Sequence, residues 1–273
     1  MEKKLVFLIP ALLLLSFCCN AQVKKDNGQL NFSIGPSFPV GHYASKDIQS
    51  DKAGIATTGG VASFFYTLLF KKKIGIVVSL LGQINPLDKR SIEKSFDQLK
   101  MNSSAFVWGT GEPTMPPSNG TTYPNWKFKN ASWKLATLLA GGYGEFKTGS
   151  PHIAVTSKAM LGLVYVSSPK IDGSSMTDTT NVHVTQSSES AIGFGYSLSG
   201  GIKIKLNNKI DFISGLEYFG TNNITFKNVV ASVTGVKNPS NPATMTAWQS
   251  TVTANGKQTI SSVNLLVGLS LQL

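Results

Sequence analysis

Cysteine is nearly absent from this chain. The two present, Cys18 and Cys19, are adjacent and close to the N-terminus, so the rest of the sequence has neither a disulfide framework nor a cysteine-based zinc site. Charge is also scarce. Asp, Glu, Lys and Arg make up 14% of 273 residues, against roughly 25% in an ordinary soluble domain. Acids are the scarcer sign, 14 against 25 bases, giving a formal net charge of +11. Hydrophobic residues still reach 41%, which excludes an intrinsically disordered chain. Past residue 21, no apolar run reaches the roughly 20 residues of a transmembrane helix. If this chain crosses a membrane, it does so as strands.

Residues 1–21 read as a cleaved secretory signal peptide. Lys3 and Lys4 form the positive n-region, Leu5 to Phe17 the apolar h-region, and Cys19-Asn20-Ala21 the cleavage site before Gln22. A membrane anchor is disfavoured because Pro10 interrupts a run that is already short. Phe17 before Cys18 disfavours a lipoprotein signal, which wants a small residue there. Cleavage removes both cysteines, as suits an oxidising compartment. The remainder, 22–273, is read as one domain.

What the mature chain does have is a period of two. In Ile192–Leu206 the even positions are Ile192, Phe194, Tyr196, Leu198, Gly200, Ile202, Ile204 and Leu206, while the odd ones are small or cationic. That is the pattern of a half-buried strand. At the C-terminus Val263, Leu265, Val267, Leu269, Leu271 and Leu273 repeat it. Further apolar faces are Leu30/Phe32/Ile34/Phe38, Ile74/Ile76/Val78/Leu80, Trp133/Leu135/Leu139/Tyr143, Ile153/Val155/Leu161/Leu163/Tyr165 and Ile210/Phe212/Leu216/Tyr218. With Ala56–Phe70, extended but ambiguous in facing, these make eight strands.

Connections alternate in length. Lys71-Lys72-Lys73, Thr148-Gly149-Ser150-Pro151 and Asn207-Asn208-Lys209 are tight turns. The intervening segments, about 41–53, 84–132, 167–190 and 222–259, are long and polar. Short periplasmic turns opposite long extracellular loops characterise outer-membrane barrels. A soluble lipocalin-like barrel would show water a charged outer face, whereas the face opposite the apolar one is rich in Gly, Ala and Ser. Trp133, Tyr143, Tyr165, Phe212 and Tyr218 are read as interface aromatics. The expected fold is all-β: an eight-stranded antiparallel transmembrane barrel, with ten strands as the alternative.

The chain here resembles the small outer-membrane β-barrels of Gram-negative bacteria, such as the transmembrane domain of outer-membrane protein A. The likeness spans nearly all of 22–273. It rests on Asn20-Ala21-Gln22, the opening Asn31-Phe32-Ser33-Ile34-Gly35-Pro36 and the alternating last strand. The resemblance implies assembly by the barrel-insertion machinery, which reads a last strand that usually ends in an aromatic; this one ends in Leu273. It leaves the activity open.

The lumen is expected to hold Lys134, Lys158, Lys203, Lys205, Asp211 and Glu217, with Lys203 or Lys205 paired to Asp211 near the periplasmic end and Lys158 to Glu217 further up. Buried charges need partners, and an eight-stranded barrel has room for little more than side chains. The expected role is therefore structural, with an ion path as the rival. His42 and His183 fall in extracellular loops and His152 at a turn. No spacing singles out a catalytic set, and neither a metal nor a cofactor is expected.

Within 84–132, Ile92, Phe96 and Leu99 mark a short amphipathic helix in Asp88–Met101. Trp126-Lys127-Phe128-Lys129 is assigned to the aromatic belt. Segment 222–259 alternates over Ile224–Val236 and Thr244–Val252 without a continuous lipid-facing row, so it is read as an extracellular β-ribbon. Its three lysines, Lys227, Lys237 and Lys257, have no acid beside them. Signal removal leaves 23 bases and 13 acids, dispersed and without a nucleic-acid motif. The expected partners are outer-membrane lipids and an unknown extracellular ligand. The leading function is surface binding or a structural role through the loops, ahead of a narrow channel and a lipid-modifying enzyme.

Overall fold

The computed structural model describes residues 28–47, 50, 52–70, 73–98, 100–101, 121–177, 179–237, 241 and 243–273. The expected signal peptide lies outside them. In chain order the elements are β1 Gly28–Pro39, β2 Gly59–Phe70, β3 Ile74–Pro86, α1 Lys89–Gln98, β4 Lys100–Met101, β5 Thr121–Thr122, β6 Lys127–Phe128, β7 Ser132–Lys147, β8 Ile153–Ser167, β9 Ile171–Met176, β10 Thr180–Gln186, β11 Ser190–Lys205, β12 Ile210–Thr221, β13 Ile224–Lys237, β14 Thr246–Gln258 and β15 Ser261–Gln272.

Eight of these strands close into an antiparallel barrel in the order β1-β15-β12-β11-β8-β7-β3-β2. Each is followed around the wall by its neighbour in sequence once the loop elements are set aside, and β15 meets β1 over nine residue pairs from Gln29↔Gln272 to Pro39↔Ser262. The ten-strand alternative is excluded, because β13 and β14 belong to a separate five-stranded sheet, β14-β13-β10-β9-β6.

The period of two sorts the wall into two faces. Phe32, Ile34, Phe64, Ile76, Leu80, Leu138, Leu161, Leu163, Phe194, Leu198, Leu216, Leu265 and Leu269 all point outward, and Leu161 and Leu163 are 58% and 59% exposed. Every barrel strand contributes, so the apolar belt encircles the molecule. A band this large far exceeds the few hundred Å² that soluble proteins leave open. Hydrocarbon is the solvent that suits it, and closure leaves no unpaired strand edge in that solvent. Inside, Gln29, Asn31, Ser33, Ser63, Thr67, Ser79, Gln83, Ser197, Asn264 and Ser270 are buried.

Strand β7 reverses the facing expected of it. Trp133, Leu135, Leu139 and Tyr143 are buried in the lumen, while Lys134 is exposed on the outer wall beside Leu138. Trp133 and Tyr143 are therefore not interface aromatics, and Lys134 is not a lumen charge. The reason is volume. Leu139 stands opposite Ser79 on β3 and Gly162 on β8, and Tyr143 opposite Gly75; these small neighbours leave space that only large side chains fill. The other three assigned aromatics do lie on the outer wall, with Tyr165 and Tyr218 exposed and Phe212 half-buried.

Candidate functional site

The long loops do not splay. Segments from three of them assemble the second sheet: β6 from the β3–β7 connection, β9 and β10 from β8–β11, β13 and β14 from β12–β15. Its inner face contributes Ile171, Val182, Val184 and Val233 to a core completed by Ile92, Phe96, Trp126 and Phe128, with Ala53 and Ile55 from the first loop. The helix expected in 88–101 forms as α1, and Asp88 caps it: its carboxylate accepts from the Ser91 N–H at 3.1 Å and the Ser91 hydroxyl at 2.9 Å. Leu99 lies outside the described residues. Two acids of α1 then hold β6 and the residue before it, Asp97 accepting from the Trp126 N–H at 3.0 Å and Glu93 from the Phe128 N–H at 3.1 Å.

Trp126 and Phe128 do not belong to the membrane belt. Both are buried in the loop core, where Phe96 meets their rings edge-on at 5.2 and 4.9 Å. The reason is their place on and beside β6, which pairs with β9 at Phe128↔Gly173. A side chain at Gly173 would fall 2.3 Å from the Phe128 ring. Glycine also recurs where Trp248 covers Gly235, its cross-strand partner. The backbone of Ile55 is left-handed, φ 50°, a strained state for a β-branched residue. Hydrogen bonds from Ile55 N–H to the Ser45 carbonyl and from Asp88 N–H to the Ile55 carbonyl hold it there, at 3.0 and 2.9 Å.

The outer face of this platform is polar. One row crosses four strands as Ser174, His183, Thr234 and Gln249, and the β13–β14 ribbon exposes Lys227 and Lys257 near one end and Lys237 at the other. His183 Nε2 lies 3.0 Å from Asp172 Oδ1, while Lys129 Nζ donates to Oδ2 at 2.8 Å. Those two hydrogen bonds hold the Asp172 carboxyl below its ordinary range. Asp88 is likewise held low: burial pushes it up, but Lys46 at 2.5 Å and the bonds from Ser91 outweigh this. His42 lies in the 3-10 turn Gly41–Ala44 and His152 in the β7–β8 turn. The three histidines thus occupy separate elements, and among the described residues no serine hydroxyl is hydrogen-bonded to a histidine ring.

Beneath the platform the barrel is filled. At the mouth, Tyr43 donates to Asn85 at 3.3 Å and packs edge-on against Trp133, which donates to the Gly54 carbonyl at 2.8 Å. Burial pushes the Tyr43 hydroxyl far above its ordinary pKa, so it stays a donor. Lower down, Lys158 Nζ sits 3.9 Å from the Phe65 ring centroid and 3.9 Å from Glu217, and Asn264 donates to Glu217 at 3.4 Å. Lowest is Lys203, paired with Glu145 and lying 3.8 Å from Asp211. Gln29 accepts from Lys203 at 3.2 Å, and Gln272 donates to Asp211 at 2.6 Å. Lys205 stands exposed at the mouth formed by the short turns. A cavity of about 40 Å³ beside Lys158 and another of about 40 Å³ under the platform hold no more than a few waters each.

Glu145 is the residue that sequence reasoning missed, and the clue to it was available. It shares the parity of Trp133, Leu135, Leu139 and Tyr143, so placing those four toward lipid would also have put a carboxylate there.

No protein-family model and no curated protein matches this chain. Among solved structures it is similar to Neisserial surface protein A, with 11% identity, 92% of this chain and 100% of that one covered, and a TM-score of 0.43. It is similar to Ail, the attachment invasion locus protein of Yersinia pestis, determined with the heparin analogue sucrose octasulfate: 10% identity, 90% and 99% coverage, TM-score 0.38. It is also similar to a major outer membrane protein of Thermus thermophilus, at 11% identity, 90% and 100% coverage and TM-score 0.42. The chain is an eight-stranded antiparallel β-barrel with an apolar outer belt, carrying a folded platform made of its own loops.

Proposed function

We propose that this is an integral outer-membrane protein that binds a polyanionic partner at the cell surface through its loop platform. One observation carries the reading: loops that a mere membrane anchor could leave short instead build a five-stranded sheet on an aromatic core. The platform also has a sign. Lys227, Lys237 and Lys257 lie on a ribbon without acids, and the nearby acid Asp172 is already engaged by Lys129 and His183. The filled lumen speaks against the channel reading.

Two measurements test this. Reconstituted protein is expected to give no single-channel conductance above background; a steady conductance would favour the channel instead. Liposomes carrying the protein are expected to bind sucrose octasulfate, a convenient soluble polyanion, and K227Q/K237Q/K257Q to weaken that binding. Unchanged binding by the triple variant would remove the platform as the contact surface.

A further inference from the structure

The opposite end of the barrel carries a site of its own. A vestibule of about 540 Å³ opens at the periplasmic mouth, lined by Glu145, Lys147, His152, Lys203, Lys205, Lys209 and Asp211 among others. That volume lies in the range of small-molecule pockets, roughly 300–1,000 Å³. We propose that it binds a phosphoanion, with Lys147, Lys205 and Lys209 as its cationic ligands.

The charge arrangement is the first argument. Both acids that line the vestibule, Glu145 and Asp211, are engaged by Lys203 at its floor. Glu145 also accepts from Gln29 and from the Tyr143 hydroxyl, each at 3.4 Å, and Asp211 from Gln272. These contacts run through Glu145 Oε2 and Asp211 Oδ2 and hold both carboxylates at the floor. Around the rim, Lys147, Lys205 and Lys209 have no carboxylate within ion-pair distance among the described residues. Three ammonium groups therefore line this polar space with no carboxylate in ion-pair range of any of them among the described residues.

Rigidity is the second. Lys147 shares its cross-strand row with Ala154 and Lys203, so it stands beside the floor cation with only a methyl group between. The Lys205 N–H donates to the His152 carbonyl at 2.8 Å, tying two adjacent turns together. The Asn207 side chain accepts from the N–H groups of Lys209 and Ile210, both at 2.8 Å, and the Lys209 carbonyl accepts from Gln272 at 2.8 Å. Fixed backbone positions for clustered cations lower the ordering cost of binding. Phosphate, with several acceptor oxygens, matches three separate ammonium donors better than a single carboxylate does. Its source is either a soluble phosphorylated solute or an inner-leaflet lipid headgroup.

The test uses the full refolded protein in zwitterionic micelles, titrated in separate arms with inorganic pyrophosphate and with a short-chain phosphatidylglycerol, followed by ³¹P NMR. Saturable binding that weakens with salt is expected in at least one arm; the pyrophosphate arm would assign a soluble ligand, the lipid arm alone a headgroup. K147Q/K205Q/K209Q is expected to weaken it by about tenfold, since three exposed charge contacts are lost. Both arms are run in the K227Q/K237Q/K257Q background, so that anion binding at the platform does not enter the signal. Heat-modifiable gel migration establishes that each variant is a folded barrel. The proposal is overturned if neither probe saturates, or if a folded rim variant binds as the original protein does.

Discussion

The barrel and the platform are built on opposite principles within one chain. The barrel puts leucine, isoleucine and phenylalanine outside and closes its interior with hydroxyls, amides and ion pairs around Lys158 and Lys203. The platform buries Phe96, Trp126, Phe128, Val182 and Val184, and shows serine, threonine, histidine and lysine to its surroundings. Both are antiparallel sheet with the same alternation. What differs is the medium against which each outer face is stable, so the border between the two patterns marks where hydrocarbon gives way to water.

The largest effect should come from the lumen. Lys203→Met leaves Glu145 and Asp211 without their cation, and removing one partner of a buried ion pair costs about 3–5 kcal/mol. The urea concentration that unfolds the barrel, read by gel migration, should fall sharply, and an unchanged midpoint would show that the floor pairs contribute little. Next comes a paired test of the two outer faces. Leu198→Lys, at the middle of β11 on the lipid side, should cost about 2–4 kcal/mol. Thr253→Lys, exposed on β14, should stay within about 0.5 kcal/mol, as surface substitutions do. Equal costs would erase the border drawn above.

A smaller change probes whether the two parts are independent. Ile92→Val in the platform core should cost about 0.5–1.5 kcal/mol, read as faster proteolysis of the loops with barrel migration unaltered. A barrel that weakened equally would make the two regions one cooperative unit. The smallest effect is a matter of pH. The Asp172 carboxyl is held low in the folded state by Lys129 and His183. Its contribution is present above the unfolded carboxylate value and is lost as pH falls through the lower folded value. Protection factors for hydrogen exchange in β9 and β10, with the intrinsic pH dependence divided out, should therefore fall on acidification below the ordinary carboxylate range, and Asp172→Asn should flatten that dependence.

Most of the barrel was legible in the residue order. Strands such as β11 and β15 have one clean apolar row, and a row of that kind leaves only the choice of which side it faces. Strand β7 was not legible, because Trp133, Leu135, Leu139 and Tyr143 compete with Leu138 and Phe146 on the other face. Glu145 could have decided it. The platform was less legible still. The ribbon 222–259 and helix α1 could be read locally, but β9, β10 and the two-residue β6 have too little pattern to announce that they join one sheet.

The sequence by itself determined that this chain crosses a membrane as strands: a period of two, scarce charge and alternating loop lengths are local properties, each readable within a short stretch of chain. Only the tertiary structure decided which face of β7 turns inward, that Lys203 bridges Glu145 and Asp211, that Trp126 and Phe128 belong to a water-facing platform, and that Lys147, Lys205 and Lys209 ring one mouth. The reason is physical. Which side chains fit depends on the volume left by neighbouring strands, and which charges meet depends on register across the barrel; both are set by closure, which joins residues more than a hundred positions apart.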